Sequence, residues 1–280
     1  MKKFLITFGI IIAVLLILFG VNIWYSANVL TVNTYSINTD KLNNSVKFVL
    51  ISDLHNKQFG ENNIDLVNKI REQNPEFIAV DGDMVTDEND SREPVIKLLP
   101  QLCQIAPVYY VLGNHEKTYG EYDKLIEEIK SSGVTFLDNE MVTFKTQSKE
   151  IITIGGLTDY PYYEYEAPDY DNPARHFLDS FIEQEKENYS ILLTHQPEVY
   201  FWGLKDKNID LMLCGHTHGG LIILPIIGGL VAPNQGWFPE YDMGYYSSGT
   251  VEMIITSGLG NSIGIPRLNN PPEVCVVEIN

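Results

Sequence analysis

Short apolar runs that alternate with amphipathic segments are the feature that most restricts how this chain can fold. Val46–Ser52 is a β-branched run typical of a buried strand, and Ile64–Arg71 follows it with helical spacing. The alternation then repeats as strand, helix, strand and helix at Phe77–Val80, Pro94–Cys103, Val108–Leu112 and Tyr122–Ile129. This order predicts an α/β fold with a largely parallel sheet.

The second half of the chain contains more predicted strands than helices. Helices are predicted at 175–187 and 197–204. Strands are predicted at 134–137, 141–145, 151–155, 190–194, 209–214, 251–256 and 274–279. Tyr160–Tyr170 contains five tyrosines and several acidic residues, and it is interpreted as a long loop that is either a lid over a site or plain surface.

Residue types that bind metal ions follow each of the main predicted strands. These residues are Asp53 and His55, Asp83, Asn114 and His115, His195, and His216 and His218. Ligands bind at the carboxyl ends of strands in open α/β sheets, so these side chains are expected to converge. Imidazole nitrogen together with carboxylate or amide oxygen suits Zn, Mn or Fe. Five of the six histidines belong to this set, and His176 is interpreted as structural.

Charge and cysteine content argue against several other classes of protein. The net charge is −18 and no Lys/Arg-rich run is present, which disfavours nucleic acid as a partner. Cys103, Cys214 and Cys275 are far apart and show no CxxC spacing, so they are interpreted as small buried apolar residues. A His-Glu-x-x-His protease motif is absent. Bound cations would supply the positive field that an acidic phosphate-binding enzyme needs.

The N-terminal segment predicts a membrane anchor. Phe4–Trp24 carries no charged residue and is long enough to cross a bilayer as a helix. Residues 1–25 are therefore assigned as a transmembrane anchor, 26–45 as a stalk or edge strand, and 46–280 as the catalytic domain. A signal peptide cleaved near residues 26–27, or a buried helix, are the alternatives. Lys2 and Lys3 predict a single-pass protein of the cell membrane with an extracytoplasmic catalytic domain.

The strand-end motifs resemble those of the calcineurin-like metallophosphoesterase superfamily. In chain order they are Asp53-Leu54-His55, Gly82-Asp83, Gly113-Asn114-His115-Glu116, His195 and Gly215-His216-Thr217-His218. The segments 258–262 and 269–274 are similar to the membrane-associated bacterial branch, which acts on phosphodiesters or lipid-linked pyrophosphates. The resemblance implies a sandwich of two mixed β-sheets flanked by helices, in addition to the transmembrane helix.

The resemblance also implies a role for each motif residue. The implied ligands are Asp53, His55 and His218 for a first divalent ion, and Asn114, His195 and His216 for a second. Asp83 would bridge the two ions, and His115 would act as general acid or as a hydrogen-bond donor to the phosphoryl group. The implied reaction is in-line attack of a metal-bridging hydroxide on a phosphodiester, phosphomonoester or pyrophosphate, membrane-proximal or lipid-linked.

Two positions depart from the family pattern. Some relatives place an aspartate three residues after the bridging Asp83, where it orients the catalytic histidine, but this chain has Thr86 there and Asp87 next. The partner that orients His115 is therefore open. Close relatives often have a polar residue where this chain has Leu221.

Three alternatives remain at the level of sequence. One is a catalytically silent metal-binding scaffold or sensor in the membrane, although the presence of His115 favours an enzyme because this residue serves chemistry. The others are a hydrolase of soluble nucleotides and a serine hydrolase. The uncharged run Leu221–Pro233 is either a buried strand and turn or an apolar lip that contacts the bilayer or admits acyl chains.

Overall fold

Two six-stranded β-sheets pack face to face, with helices on their outer surfaces. The computed structural model describes residues 1–86, 91–158, 173–184 and 187–280. The helices of this part of the chain are α1 (Lys2–Asn28), α2 (Ile64–Arg71), α3 (Glu93–Cys103), α4 (Asn114–Thr118), α5 (Tyr122–Ser131) and α6 (Pro173–Glu183).

The first sheet has the strand order β1-β16-β2-β3-β4-β5. Its strands are β1 (Thr31–Ile37), β2 (Val46–Ile51), β3 (Ile78–Asp81), β4 (Val108–Val111), β5 (Thr135–Phe136) and β16 (Glu273–Ile279). Strands β2 to β5 are mutually parallel, whereas β16 runs antiparallel to β2. The carboxyl ends of β2, β3 and β4 therefore lie at one edge of this sheet.

The second sheet has the order β14-β15-β9-β8-β7-β6. Its strands are β6 (Glu140–Lys145), β7 (Ile151–Leu157), β8 (Tyr189–Thr194), β9 (Leu211–Cys214), β14 (Gly244–Tyr246) and β15 (Glu252–Ile255). Strands β7, β8, β9 and β15 are parallel, and the outer strands β6 and β14 are antiparallel to their neighbours. Both sheets are thus mixed, which confirms the fold implied by the family resemblance.

The core lies in three layers. Phe48 and Phe77 stack at 4.4 Å between the sheets, where they pack with Ile191 and Leu213 of the opposite sheet. Two further clusters lie under α2, α3 and α5 on one side and under α6 on the other. The central strands are buried on both faces, which explains why Phe48–Ile51 is an apolar run without alternation.

Several segments differ from the sequence prediction in detail. Helix α1 runs to Asn28, and residues 31–37 form β1, which pairs in parallel with β16. The predicted helix 197–204 is a single π-helical turn, Tyr200–Leu204. The run 221–233, together with residues 234–237, forms two short hairpins from β10 (Ile223–Leu224), β11 (Gly228–Gly229), β12 (Val231–Ala232) and β13 (Gly236–Trp237).

Helix α1 is long and apolar enough to cross a membrane by length and composition. Its apolar side chains are exposed along almost the whole helix. The loop Tyr160–Tyr170, considered above as a lid, lies outside the described residues.

Candidate metal centre

The eight residues singled out in the sequence all follow the carboxyl ends of β2, β3, β4, β8 and β9. Seven of them have side-chain atoms in three overlapping groups, and within each group the potential ligand atoms lie within 4.8 Å of one another. The groups are Asp53, His55 and His218; Asp83, His195 and His216; and His55, Asp83 and His115. Asn114 follows β4 directly and begins α4.

The first group has the same three residues as the first ligand set implied by the family resemblance, and the second group places His195 and His216 of the second set beside Asp83. In the first, the Asp53 Oδ1 atom lies 3.9 Å from His55 Nε2 and 3.8 Å from His218 Nε2. In the second, the His195 Nε2 atom lies 3.0 Å from Asp83 Oδ2. The same Asp83 Oδ2 atom is 3.9 Å from His55 Nε2, so Asp83 lies between the groups.

The hydrogen bonding of these side chains fits metal ligands. Both ring nitrogens of His55, the Nδ1 atom of His218 and the Oδ1 atom of Asn114 are buried, and none has a hydrogen-bond partner among the described residues. Buried polar atoms nearly always have a partner, so an unpartnered cluster needs an explanation. Coordination of divalent cations provides one, and the mixture of nitrogen and oxygen atoms suits Zn, Mn or Fe.

Burial keeps three of the histidines neutral. It lowers the pKa of His55 to about 4 and that of His216 to about 3, and it lowers the pKa of His218 well below the ordinary value. Neutral imidazole is the form that binds a metal ion. These three side chains therefore present lone pairs at neutral pH.

His195 and the two carboxylates behave differently. Burial acts to lower the pKa of His195, but the Asp83 and Asp53 carboxylates outweigh it and raise that pKa well above its ordinary value. Burial raises the pKa of Asp53 to about 6. It also acts to raise the pKa of Asp83, yet the interaction with His195 holds that pKa below the usual range. Metal binding at His195 therefore requires release of a proton.

The backbone of the site is strained. Five of the proposed ligands have positive φ angles, which non-glycine residues rarely adopt. They are Asp53 (53°), His55 (48°), Asp83 (51°), His216 (70°) and His218 (50°). Such conformations cost about 1–3 kcal/mol each and cluster at functional sites. The surrounding packing must hold these side chains in place.

Two glycines allow strand-end loops to approach the carboxylates. A Cβ atom added at Gly113 would collide with the Asp83 carboxylate, and one added at Gly215 would collide with Ser52 and Asp53. Each glycine precedes ligands in its own motif, so the close approach brings His216 and Asn114 next to carboxylates of other strands. The backbone N–H of His216 donates to both Asp53 oxygens at 3.2 and 3.1 Å.

Glu116 organises the loops beneath the site, a role that sequence reasoning missed. Its buried carboxylate accepts hydrogen bonds from the backbone N–H groups of Asp83 (2.8 Å), Met84 (2.6 Å) and Gly113 (2.9 Å), and from the Tyr110 hydroxyl (3.0 Å). One side chain therefore joins the loop after β3 to the turn after β4. The only signal in the sequence was its position directly after His115.

His115 is oriented by the backbone and not by an acidic side chain. Its Nδ1 atom lies 2.5 Å from the carbonyl oxygen of Thr86. A carbonyl only accepts, so Nδ1 carries the hydrogen, and Nε2 lies 4.0 Å from Asp83 Oδ2. The His115 side chain is 27% exposed, whereas that of His55 is 0% and that of His218 is 3% exposed. The backbone carbonyl of residue 86 thus orients His115, and any side chain at this position would leave that carbonyl in place.

Asn234 is a second residue that sequence reasoning missed. Its Nδ2 atom lies 3.0 Å from His216 Nε2 and 3.4 Å from Gln196 Oε1. It follows the apolar run 221–233, where nothing in the sequence indicated a polar contact to the site. The hairpins therefore reach the proposed ligands directly.

The structure does not place the serine-hydrolase motif in the backbone geometry that a serine nucleophile needs. Gly260-Asn261-Ser262-Ile263-Gly264 has the Gly-x-Ser-x-Gly spacing. A nucleophile elbow requires a strand-to-helix turn. This segment is instead an irregular loop between β15 and β16, with a local hydrogen bond from the Ile263 N–H to the Asn261 side chain at 3.0 Å.

Comparison with known proteins agrees with the geometry. The profile of the calcineurin-like phosphoesterase family matches residues 46–220. The chain is 30% identical to Phosphodiesterase YaeI of Escherichia coli, over 83% of this chain and 82% of that protein. It is 29% identical to the uncharacterized metallophosphoesterase YkuE of Bacillus subtilis, over 82% and 77% of the two chains. The chain belongs to the calcineurin-like phosphoesterase family and is a metal-dependent phosphoric ester hydrolase.

Among solved structures, phosphopantetheinyl hydrolase (PptH) from Mycobacterium tuberculosis aligns with a TM-score of 0.48 and 14% identity. The alignment covers 78% of this chain and 90% of that one.

Proposed function

We propose that this protein hydrolyses a phosphodiester at a centre of two divalent cations. The observation that carries the proposal is the pair of ligand groups on either side of Asp83, one at His55 and one at His195. In this assignment Asp53, His55 and His218 hold one cation. The other cation would be held by Asn114, His195 and His216, and Asp83 would contact both cations.

The chain supplies position and charge to the reaction. Two cations, when bound, polarise the phosphoryl group and lower the pKa of water to near neutrality. The buried carboxylates of Asp53 and Asp83 would offset the charge of the cations, and the neutral histidines would hold the cations in position. The partly exposed position of His115 makes its side chain more accessible to a substrate than those of His55, His195 and His218. A proton on Nε2 would be given to the departing alkoxide, while the Thr86 carbonyl holds Nδ1–H.

A membrane-linked phosphodiester is the substrate class we propose. The relative named as a phosphodiesterase supports the diester, and the apolar helix α1 supports location at the membrane. We assign residues 1–25 as the anchor, continued structurally to Asn28, and residues 46–280 as the catalytic domain. Lys2 and Lys3 would stay in the cytoplasm, which puts the catalytic domain outside.

The test uses the purified full-length chain in detergent, loaded in turn with Mn²⁺, Zn²⁺ or Fe²⁺. Hydrolysis of bis-p-nitrophenyl phosphate is compared with that of p-nitrophenyl phosphate and of soluble nucleotides, and bound metal is counted by mass spectrometry. We expect diester turnover to be metal-dependent. A His115→Ala variant should retain two ions per chain while losing about 10²–10⁴-fold in kcat, as expected for removal of a general acid.

The exposed His176 of α6 provides a matched control, and His176→Ala should behave as the wild type. Loss of an ion in His115→Ala would instead identify His115 as a ligand, which its grouping with His55 and Asp83 permits. A folded, metal-loaded chain that hydrolyses no member of the substrate set, including dispersed lipids, would contradict the proposal and favour a silent scaffold.

A further inference from the structure

Four large apolar side chains are exposed beside the site. Ile226 is fully exposed, and Ile227, Trp237 and Phe238 are 63%, 69% and 58% exposed. These four residues, the apolar rim, lie in or next to the two hairpins that follow His216 and His218. Large apolar side chains concentrated in one exposed segment are typical of surfaces that contact a partner or a membrane.

The two hairpins form one folded unit. The Leu230 N–H donates to the Ile222 carbonyl at 2.8 Å, and the Phe238 N–H donates to the Leu230 carbonyl at 2.8 Å. Asn234, between the two parts of the rim, reaches His216 at 3.0 Å. The rim therefore flanks the metal centre and is held to it.

The same unit is bonded to the proposed membrane helix. The Asn22 amide donates to Asn269 Oδ1 at 2.7 Å, and the Asn269 N–H donates back to Asn22 Oδ1 at 2.9 Å. The Asn269 side chain then donates to the carbonyl of Ile223, in the first hairpin, at 3.0 Å. A single residue thus connects α1 to the hairpin that carries Ile226 and Ile227.

These bonds set the height of the hairpins relative to a bilayer. At a rise of about 1.5 Å per residue, Phe4–Trp24 spans the roughly 30 Å of a hydrocarbon core. Asn22 precedes Trp24 by two residues, about 3 Å along the axis. The base of the first hairpin therefore lies at the level where α1 leaves the membrane.

The hairpin segment itself carries no charge, since residues 219–239 contain no Asp, Glu, Lys or Arg. A cation does lie near this level, because Lys57 Nζ donates to the Ala27 carbonyl at the end of α1. An uncharged segment does not depend on anionic lipids for its attraction, whereas exposed Trp and Phe are favoured at the boundary of headgroups and acyl chains. The occupant that fits both the position and the chemistry is the lipid interface itself.

We propose that the apolar rim inserts into the interface of the bilayer that α1 crosses, so that the metal centre faces the lipid headgroups. A short path supports this arrangement. The Asn270 backbone N–H donates to Ser26 Oγ of α1 at 3.3 Å, and the Asn270 side-chain amide donates to the His218 carbonyl at 2.7 Å. The inference depends on α1 spanning a membrane, but not on which phosphate ester is cleaved.

The test measures the depth of single tryptophans in the full-length chain, reconstituted into phosphatidylcholine nanodiscs. A Trp24→Phe/Trp202→Phe variant keeps Trp237 alone, and Trp202→Phe/Trp237→Phe keeps Trp24 as a reference for the anchor. We expect lipids brominated near the headgroup to cause a several-fold loss of Trp237 emission, with little quenching by aqueous iodide. Turnover of a soluble ester in the same samples reports separately on the proposed hydrolase.

Two further variants make the result decisive. Ile226→Asp/Ile227→Asp should shift Trp237 emission to the red and remove most of the quenching, while Ile226→Leu/Ile227→Leu should preserve it. Ile151→Trp, in a chain without other tryptophans, controls for exposure alone, because Ile151 is exposed at the opposite end of β7 from the site.

Quenching of Trp24 but not of Trp237 would mean that α1 spans the bilayer while the apolar rim stays outside it, which would overturn the inference. Quenching of neither, or equal quenching at residue 151, would also overturn the inference.

Discussion

The strand ends and the hairpins contribute to the same site but are built in opposite ways. The strand ends bury charged and imidazole groups, which are held by backbone bonds such as those to Glu116. The hairpins are uncharged, expose their largest side chains and reach His216 through the amide of Asn234. The difference indicates that one region fixes the chemistry, whereas the other adjusts access to it.

This comparison predicts that substitutions at strand ends are severe for every substrate, whereas those in the hairpins are mild.

Asp83→Asn should have the largest effect because Asp83 lies between the two ligand groups. The amide keeps the shape but loses the charge that would offset two cations. We expect kcat/KM for a soluble diester to fall about 10³-fold or more, the equivalent of several kcal/mol of charge stabilisation. Steady-state kinetics with metal counting measures this, and a variant with two tightly bound ions and near-normal turnover would refute the assigned position of Asp83.

The convergence of several proposed ligands could be predicted from the sequence, and the reason is topological. Parallel neighbouring strands bring their carboxyl ends to one edge of a sheet, so Asp53, Asp83 and Asn114 after β2, β3 and β4 had to converge once the strands were recognised. The family resemblance added the two packed sheets. Pairing of residues 31–37 with β16 was not specified, since that segment is polar and its partner lies at the other end of the chain.

The pattern of strands and helices in the sequence could not predict contacts made by single side chains. Glu116 bonds to Gly113 and Tyr110, which are near it in the sequence, but also to the loop after β3, which only the folded chain brings next to it. The positive φ angles of Asp53 and His55 arise from tertiary packing and override local preference. Asn234 follows an apolar run and gave no periodic signal.

Glu116→Gln should have an intermediate effect on both the stability of the strand-end loops and their affinity for metal ions. Glutamine offers one acceptor oxygen where Glu116 offers two, so buried N–H groups such as that of Met84 would lose a partner. We expect unfolding to become easier by about 1–3 kcal/mol. Metal affinity should weaken about 10–100-fold, as for other groups that position ligands.

Calorimetry of the metal-free chain and a Mn²⁺ titration separate these two effects. Tyr110→Phe is the matched control, because it removes only one of the four bonds to Glu116 and should cost less in both measurements. If Tyr110→Phe equalled Glu116→Gln, the backbone bonds to Asp83 and Gly113 would not be what holds the site together.

Asn234→Ala should have the smallest effect, and its sign is informative. The Asn234 amide occupies the Nε2 lone pair of His216, the nitrogen that a cation would otherwise take. Removing one hydrogen bond worth about 1 kcal/mol should tighten metal binding about fivefold, with little change in the unfolding free energy. Mn²⁺ titration of the metal-free chain measures the change. Weaker binding would mean that Asn234 orients or supplements the ligands, and the hairpins would then belong with the strand ends as part of the chemical machinery.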